Sequence, residues 1–166
     1  MQRHTSAGTS INSRKLPVLY TRLAKAGVLD NGTGIDLGSG KYTDHLAAFV
    51  AAHNGTMRFY DPYNQPESVN YEALIHRDEY KFCLCSNVLN VLDDESAVRS
   101  TIRTAVELGN GVAYFTVYEG DGTGIGTETQ NGASWQRNEK LKQYASYCDG
   151  YNVTFKNGVM TVRKGR

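Results

Sequence analysis

A chain of 166 residues, 40% hydrophobic and 21% charged, has the length and composition of one globular unit with a core of its own. Its formal net charge of +1 excludes a globally basic surface for nucleic acid, so any such surface has to be local. No apolar run approaches the roughly 18 residues of a membrane span, and the polar start from Met1 to Ser13 lacks the apolar segment of a secretory signal.

In chain order, residues 1–13 read as a flexible tail and residues 14–166 as a single domain. Pro17 to Gly27 predicts a helix, with proline in the first turn and glycine as the stop. A strand over Gly34–Leu37, a helix over Thr43–His53 and a strand over Thr56–Tyr60 follow. Pro62 and Pro66 make the next segment a loop, after which Tyr71–Ile75 reads as a short strand, the helix usual at this place being reduced or absent. Tyr80–Ser86 is a clearer strand, Asp93–Leu108 an amphipathic helix with acids in its first turn, and Gly111–Val117 a buried strand. Glycines at 120, 122, 124, 126 and 132 mark Glu119–Ala133 as a mobile lid or a poorly ordered loop. A helix over Asn138–Tyr147 precedes a hairpin, Tyr151–Phe155 and Val159–Arg163, joined through Asn157-Gly158. The fold class is α/β: a doubly wound, mostly parallel sheet ending in an antiparallel β-hairpin.

The stretch from Thr33 to Asp44 carries the most chemistry. An apolar run ends in Asp36, followed at once by Gly38 and Gly40 and then by a helix. In nucleotide-binding α/β units such glycines let the backbone approach a ligand. A second strand ends in Asp61, 25 residues after Asp36, near the spacing of an acid that binds a ribose hydroxyl pair. A dinucleotide fold wants a third glycine where Thr43 stands, which disfavours a dinucleotide-dependent oxidoreductase. Asp36 would repel a pyrophosphate, whereas it suits a cofactor bearing a cationic amino group.

Asp36, Gly38 and Gly40 resemble motif I of the class I S-adenosylmethionine (SAM) dependent methyltransferases, Asp/Glu-x-Gly-x-Gly, with Tyr42 in place of a frequent third glycine. Together, Asp-Leu-Gly-Ser-Gly, Tyr-Asp-Pro-Tyr, Ser-Asn-Val-Leu-Asn-Val-Leu and Ala-Tyr-Phe-Thr-Val look like a group of compact phage and bacterial methyltransferase-like proteins, over about Leu16 to Arg137. The resemblance implies a Rossmann-like core and SAM as cofactor. It places the methionine half along Gly38, Ser39, Gly40 and Tyr42, the ribose at Asp61 and adenine beside Pro62 and Tyr63. Ser86 and Asn87 would face the activated methyl group.

Asn87 and Asn90, three apart, either share that cleft or serve as a helix cap and a turn residue. Tyr118 or Glu119, at the end of the fifth expected strand, would supply a general base if one is needed. Trp135 either anchors the last helix or stacks on a planar substrate, and Arg137 is expected at the cleft rim. No Pro-Cys pair and no Asn-Pro-Pro-aromatic motif is present, which disfavours the established DNA-base mechanisms. Cys83 and Cys85 alternate in a strand and read as core, and no His/Cys cluster has metal spacing. The expected function is a SAM-dependent methyltransferase acting on a small-molecule or nucleic-acid acceptor. The alternative is a catalytically inactive SAM- or adenosine-binding regulatory or phage accessory protein. Either would be cytoplasmic, or lie in the host cytoplasm if phage-encoded, as a monomer or homodimer without membrane contact.

Overall fold

The computed structural model describes residues 13–165, so the expected tail lies outside the described residues except for Ser13. Helix α1 (Val18–Lys25) leads into β1 (Thr33–Leu37), α2 (Asp44–Ala51) and β2 (Thr56–Tyr60). Then come α3 (Glu67–Ile75), β3 (Phe82–Ser86), α4 (Glu95–Leu108) and β4 (Val112–Thr116). A small hairpin, β5 (Thr127–Thr129) and β6 (Ser134–Gln136), precedes a 3-10 segment over Leu141–Tyr147. The strands β7 (Tyr151–Lys156) and β8 (Val159–Lys164) close the fold. Among the described residues no helix is long and apolar enough to cross a membrane.

Six strands form one sheet in the order β2-β1-β3-β4-β8-β7. The first four run parallel, and β8 returns antiparallel to β4 with β7 paired outside it. The terminal reversal is encoded locally. Asn157 and Gly158 both take positive φ, 50° and 71°, which is what a tight two-residue hairpin turn requires.

Side-chain alternation divides the core between the two faces of this sheet. Along β3, Cys83 and Cys85 join Val98, Ile102, Phe115 and Met160 on the α4 side. Phe82 and Leu84 join Leu19 and Leu23 of α1 and Leu46 and Val50 of α2 on the other. A central strand buried on both faces reads as a continuous apolar run, as Phe-Cys-Leu-Cys does. Both thiols are free, and burial pushes them well above their ordinary pKa, so they are inert core residues. Helix α4 is set by its cap: the Asp94 carboxylate accepts from Ser96 N at 3.0 Å. Its Val98, Ile102, Ala105 and Val106 form one buried stripe. Burying Ile102 fully is worth about 1.5–3 kcal/mol.

Three segments differ from the sequence expectation. Tyr71–Ile75 belongs to helix α3, not to a strand, so the helix thought reduced is present. Pro66 stands at its N-cap and Glu67 in its first turn, a start signal outweighed in the sequence by the β-formers Tyr71 and Ile75. Asn138–Tyr147 is not an α-helix: Asn138 sits at φ 58°, and only a 3-10 segment forms from Leu141. The glycine-rich stretch is neither structureless nor unanchored. It contains β5, pairs with β6, and is tied to its neighbours by Gly124 N donating to Asn138 O at 2.7 Å and Asn138 Nδ2 donating to Ile125 O at 2.9 Å.

Candidate functional site

Strand order reverses at β1: the chain moves one way to β2 and the other way to β3 and β4. In open α/β sheets the crevice outside the carboxyl ends of the strands at such a point receives the ligand. A cleft of about 580 Å³ opens there, within the range of roughly 300–1,000 Å³ typical of small-molecule sites.

Its floor comes from the end of β1 and the turn beyond it, Asp36, Gly38 and Ser39, with Tyr42 and His45 at the start of α2. One wall is the segment after β3, Ser86, Asn87 and Asn90. The opposite side holds Tyr118 after β4 and Ser134, Trp135 and Gln136 of β6. Leu16, Pro17 and Val18 close the remaining edge. The sequence reading missed the contribution of β6. Alternation along a short strand would have placed Ser134 and Gln136 on one side, but the glycine-rich stretch hid that a strand was there.

The turn is built from backbone. Gly38 takes φ 80°, and its N donates to Tyr60 O at 2.7 Å. A Cβ on Gly38 would lie 2.4 Å from Val88 Cγ2, so this glycine lets the segment after β3 close onto β1. Gly40 takes φ 78°; its N donates to Asp61 Oδ2 at 3.0 Å, and its carbonyl accepts from Gln65 Nε2 at 2.5 Å.

The ribose contact expected of Asp61 is not what its carboxylate does here. Asp61 is 2% exposed and accepts from Gly40 N, Tyr63 N, Asn64 N and Asn64 Nδ2. It stands behind the glycine turn, and both oxygens are taken. The loop it organises leaves Pro62 and Tyr63 exposed and outside the cleft lining.

Asp36 is the reverse case. It is 2% exposed, Oδ2 accepts from Tyr20 OH at 2.5 Å, and Oδ1 has no hydrogen-bond partner among the described residues. Burial pushes its carboxyl up to about 7. The Tyr20 hydrogen bond pulls the other way, and the nearby Asp61 charge adds to the rise. Burial chiefly, then Asp36 itself, holds the Tyr20 phenol well above its usual pKa, so Tyr20 is a fixed donor. No sequence signal links Tyr20 on α1 to Asp36.

Neither asparagine caps a helix: Asp94 caps α4. Asn87 is exposed on the cleft wall at φ 56°, with its N donating to Thr116 O at 2.9 Å. Asn90 is 3% exposed and donates from Nδ2 to Gln136 Oε1 at 3.0 Å. Tyr118 is 64% exposed on the cleft. Glu119 points elsewhere, accepting from Leu141 N at 2.8 Å at the start of the 3-10 segment.

Arg137 is not at the rim. It is 7% exposed and donates to Leu92 O at 2.9 Å, Glu139 Oε1 at 2.9 Å and Tyr147 OH at 2.8 Å. Arg137 and Glu139 form a buried ion pair, Tyr147 OH bonds to both and so ties the segment after β6 to the 3-10 segment, and Arg137 lines none of the cleft. Trp135 is neither fully in the core nor free: it lines the cleft, and its ring lies so close to Gly126 that a Cβ there would fall 2.1 Å from it. Among the described residues no group of three or more His, Cys, Asp or Glu side chains could hold a metal ion. Comparison with protein-family models and with curated proteins finds no match for this chain.

Proposed function

We propose that the protein is a SAM-dependent methyltransferase with a Rossmann-like core, acting on a small-molecule or nucleic-acid acceptor. One observation carries this reading. A buried carboxylate oxygen, Asp36 Oδ1, has no partner among the described residues, and Asp36 lines the switch-point cleft beside a backbone turn made by Gly38. Leaving such an oxygen unpaired costs about 1–3 kcal/mol, which a cationic ammonium group in the cleft would offset. The α-amino group of SAM has that charge. The reversed β8 beside β4 agrees with the arrangement implied by the motif I resemblance.

The residues fit the amino-acid half of the cofactor. Asp36 would hold the ammonium, the turn at Gly38 and Ser39 would border the methionine chain, and Tyr42 would flank it. They offer no free carboxylate to a ribose, since Asp61 is taken by the turn. When bound, SAM supplies a methyl group activated by a sulfonium. The protein's task is then alignment of the two reactants and exclusion of water, with Asn87, Asn90 and Tyr118 as the polar groups around the acceptor.

The occupied state of Glu119 and the burial of Arg137 favour one further reading, a protein that binds SAM without transferring its methyl group. Calorimetry with SAM, S-adenosylhomocysteine and NAD tests the cofactor: binding of the first two but not NAD is expected, and NAD alone binding would overturn the assignment. Tritiated methyl transfer into nucleic-acid, protein and metabolite pools then separates enzyme from binder.

A further inference from the structure

A second residue lining the cleft, Asn90, carries a buried oxygen without a partner among the described residues. Asn90 Oδ1 has no hydrogen bond among the described residues, although Asn90 is 3% exposed. Which atom of this amide is left over follows from a chain of hydrogen bonds with one fixed end. Gln136 approaches the backbone carbonyl of Tyr118 at 2.9 Å. A carbonyl can only accept, so Gln136 must present its Nε2 there and its Oε1 on the far side. That Oε1 lies 3.0 Å from the Asn90 amide, which must therefore present Nδ2 to it. Asn90 is left with an oxygen, an acceptor that cannot become a donor by flipping.

The backbone holds the pair in place. Asn90 O accepts from Arg137 N at 2.8 Å, so the turn after β3 and the strand end at β6 are locked to one another. Trp135, between Ser134 and Gln136 on β6, borders the same cleft, and its ring lies close against Gly126. A planar ring and a desolvated acceptor within one cleft favour a flat ligand that offers a hydrogen, and they penalise one that offers a lone pair.

Building on the methyltransferase reading, we propose that this end of the cleft selects a methyl acceptor with an N–H donor on a planar ring, read by Asn90 Oδ1 and flanked by Trp135. Asn90 is here a specificity residue for the second substrate and contributes nothing to holding the cofactor. A site built around a buried hydrogen-bonding group rejects analogues lacking the complementary group far more strongly than an apolar pocket rejects a change of shape.

The test uses indole and benzofuran, two rings of near-identical shape that differ in N–H against O, titrated by NMR into protein saturated with S-adenosylhomocysteine. Indole should bind at least about tenfold more tightly than benzofuran. In Asn90→Leu the ratio should fall to within about twofold while affinity for S-adenosylhomocysteine stays unchanged. Equal binding of the two rings to the native protein overturns the proposal, and that comparison needs no variant to fold. So does a preference that survives in a folded Asn90→Leu, or a loss of S-adenosylhomocysteine affinity in it, which would move Asn90 to the cofactor side. If the native protein does not bind S-adenosylhomocysteine, the methyltransferase reading fails. The same ring comparison without it still decides whether the cleft reads an N–H.

Discussion

Asp36 makes the stability of this protein fall as pH rises, and the size of the effect follows from its surroundings. In the folded state burial holds its carboxyl near 7, against an unfolded value of 3.8. The folded chain therefore binds the proton more tightly than the unfolded chain between these two values, so unfolding releases it. Stability contributed by the protonated carboxyl is complete below pH 3.8 and is lost progressively as pH rises through 7. Each unit of separation is worth about 1.4 kcal/mol, and the part falling between pH 5 and pH 8 is about 2–3 kcal/mol. Urea denaturation of the native chain and of Asp36→Asn across pH 5–8 isolates this effect. The native chain should lose about 2–3 kcal/mol relative to the variant over that window, since every other titrating group is common to both. Tyr20→Phe sharpens the assignment. It removes the donor that favours the ionised carboxylate, so the midpoint of the loss should move to higher pH. Parallel pH profiles for the native chain and Asp36→Asn would refute the reasoning, because they would show that water or a counter-charge keeps Asp36 ionised at an ordinary pKa.

Gly38→Ala should destabilise the fold by about 2–4 kcal/mol, combining the cost of a side chain at φ 80° with the 2.4 Å approach to Val88. Adding Val88→Ala should recover the steric part alone, and a double-mutant cycle showing no coupling would place the cost elsewhere. Asp61→Asn should cost about 2–3 kcal/mol in thermal or urea melts, because an amide NH₂ would face Gly40 N or Asn64 Nδ2, both donors. Unchanged stability would mean that the glycine turn does not depend on this carboxylate. Asn87→Gly keeps the φ of 56° accessible while removing the amide. In a transferase it should leave SAM affinity within about threefold and cut turnover roughly a hundredfold, as expected of a group that orients the acceptor mainly in the transition state. Full activity in that variant would remove Asn87 from the site.

The parts of the fold written in short-range chemistry were legible in the sequence. The Asn157-Gly158 turn, the double-sided apolar run of β3 and the capped stripe of α4 each encode their structure within a few residues. Legibility failed where local preference and context disagree. Tyr71 and Ile75 favour a strand in isolation, yet α3 forms because Pro66 starts it and because Asn70 on its first turns clamps Asp61, taking a hydrogen bond from Asp61 N at 2.8 Å. The stretch from 119 to 133 was opaque for a different reason. Its glycines suggest freedom, but positions 120 and 126 lack side chains because Asn138 and Trp135 occupy the space a Cβ would take.

The candidate site shows the same division at the level of single side chains. Asp36, Asp61 and Glu119 all sit at or just beyond the carboxyl end of a strand, which is why each was a reasonable candidate from sequence alone. What separates them is the donors already spoken for. Asp61 is ringed by Gly40, Tyr63 and Asn64, and Glu119 receives Leu141 N, so both carboxylates serve the fold. Asp36 has one donor, Tyr20, for two oxygens. Asn90 repeats the pattern: its nitrogen belongs to Gln136 and its oxygen to nothing among the described residues. Other buried polar atoms, Glu139 Oε2 and Tyr144 OH among them, also lack a partner among the described residues, and what sets the oxygens of Asp36 and Asn90 apart is that both residues line the cleft. On the reading proposed above, the ligands would bring a charged donor to the floor at Asp36 and a neutral one to the wall at Asn90. The first would be the proposed amino-acid-like cofactor and the second the proposed planar acceptor, and a transfer between them would require both within one cavity of about 580 Å³.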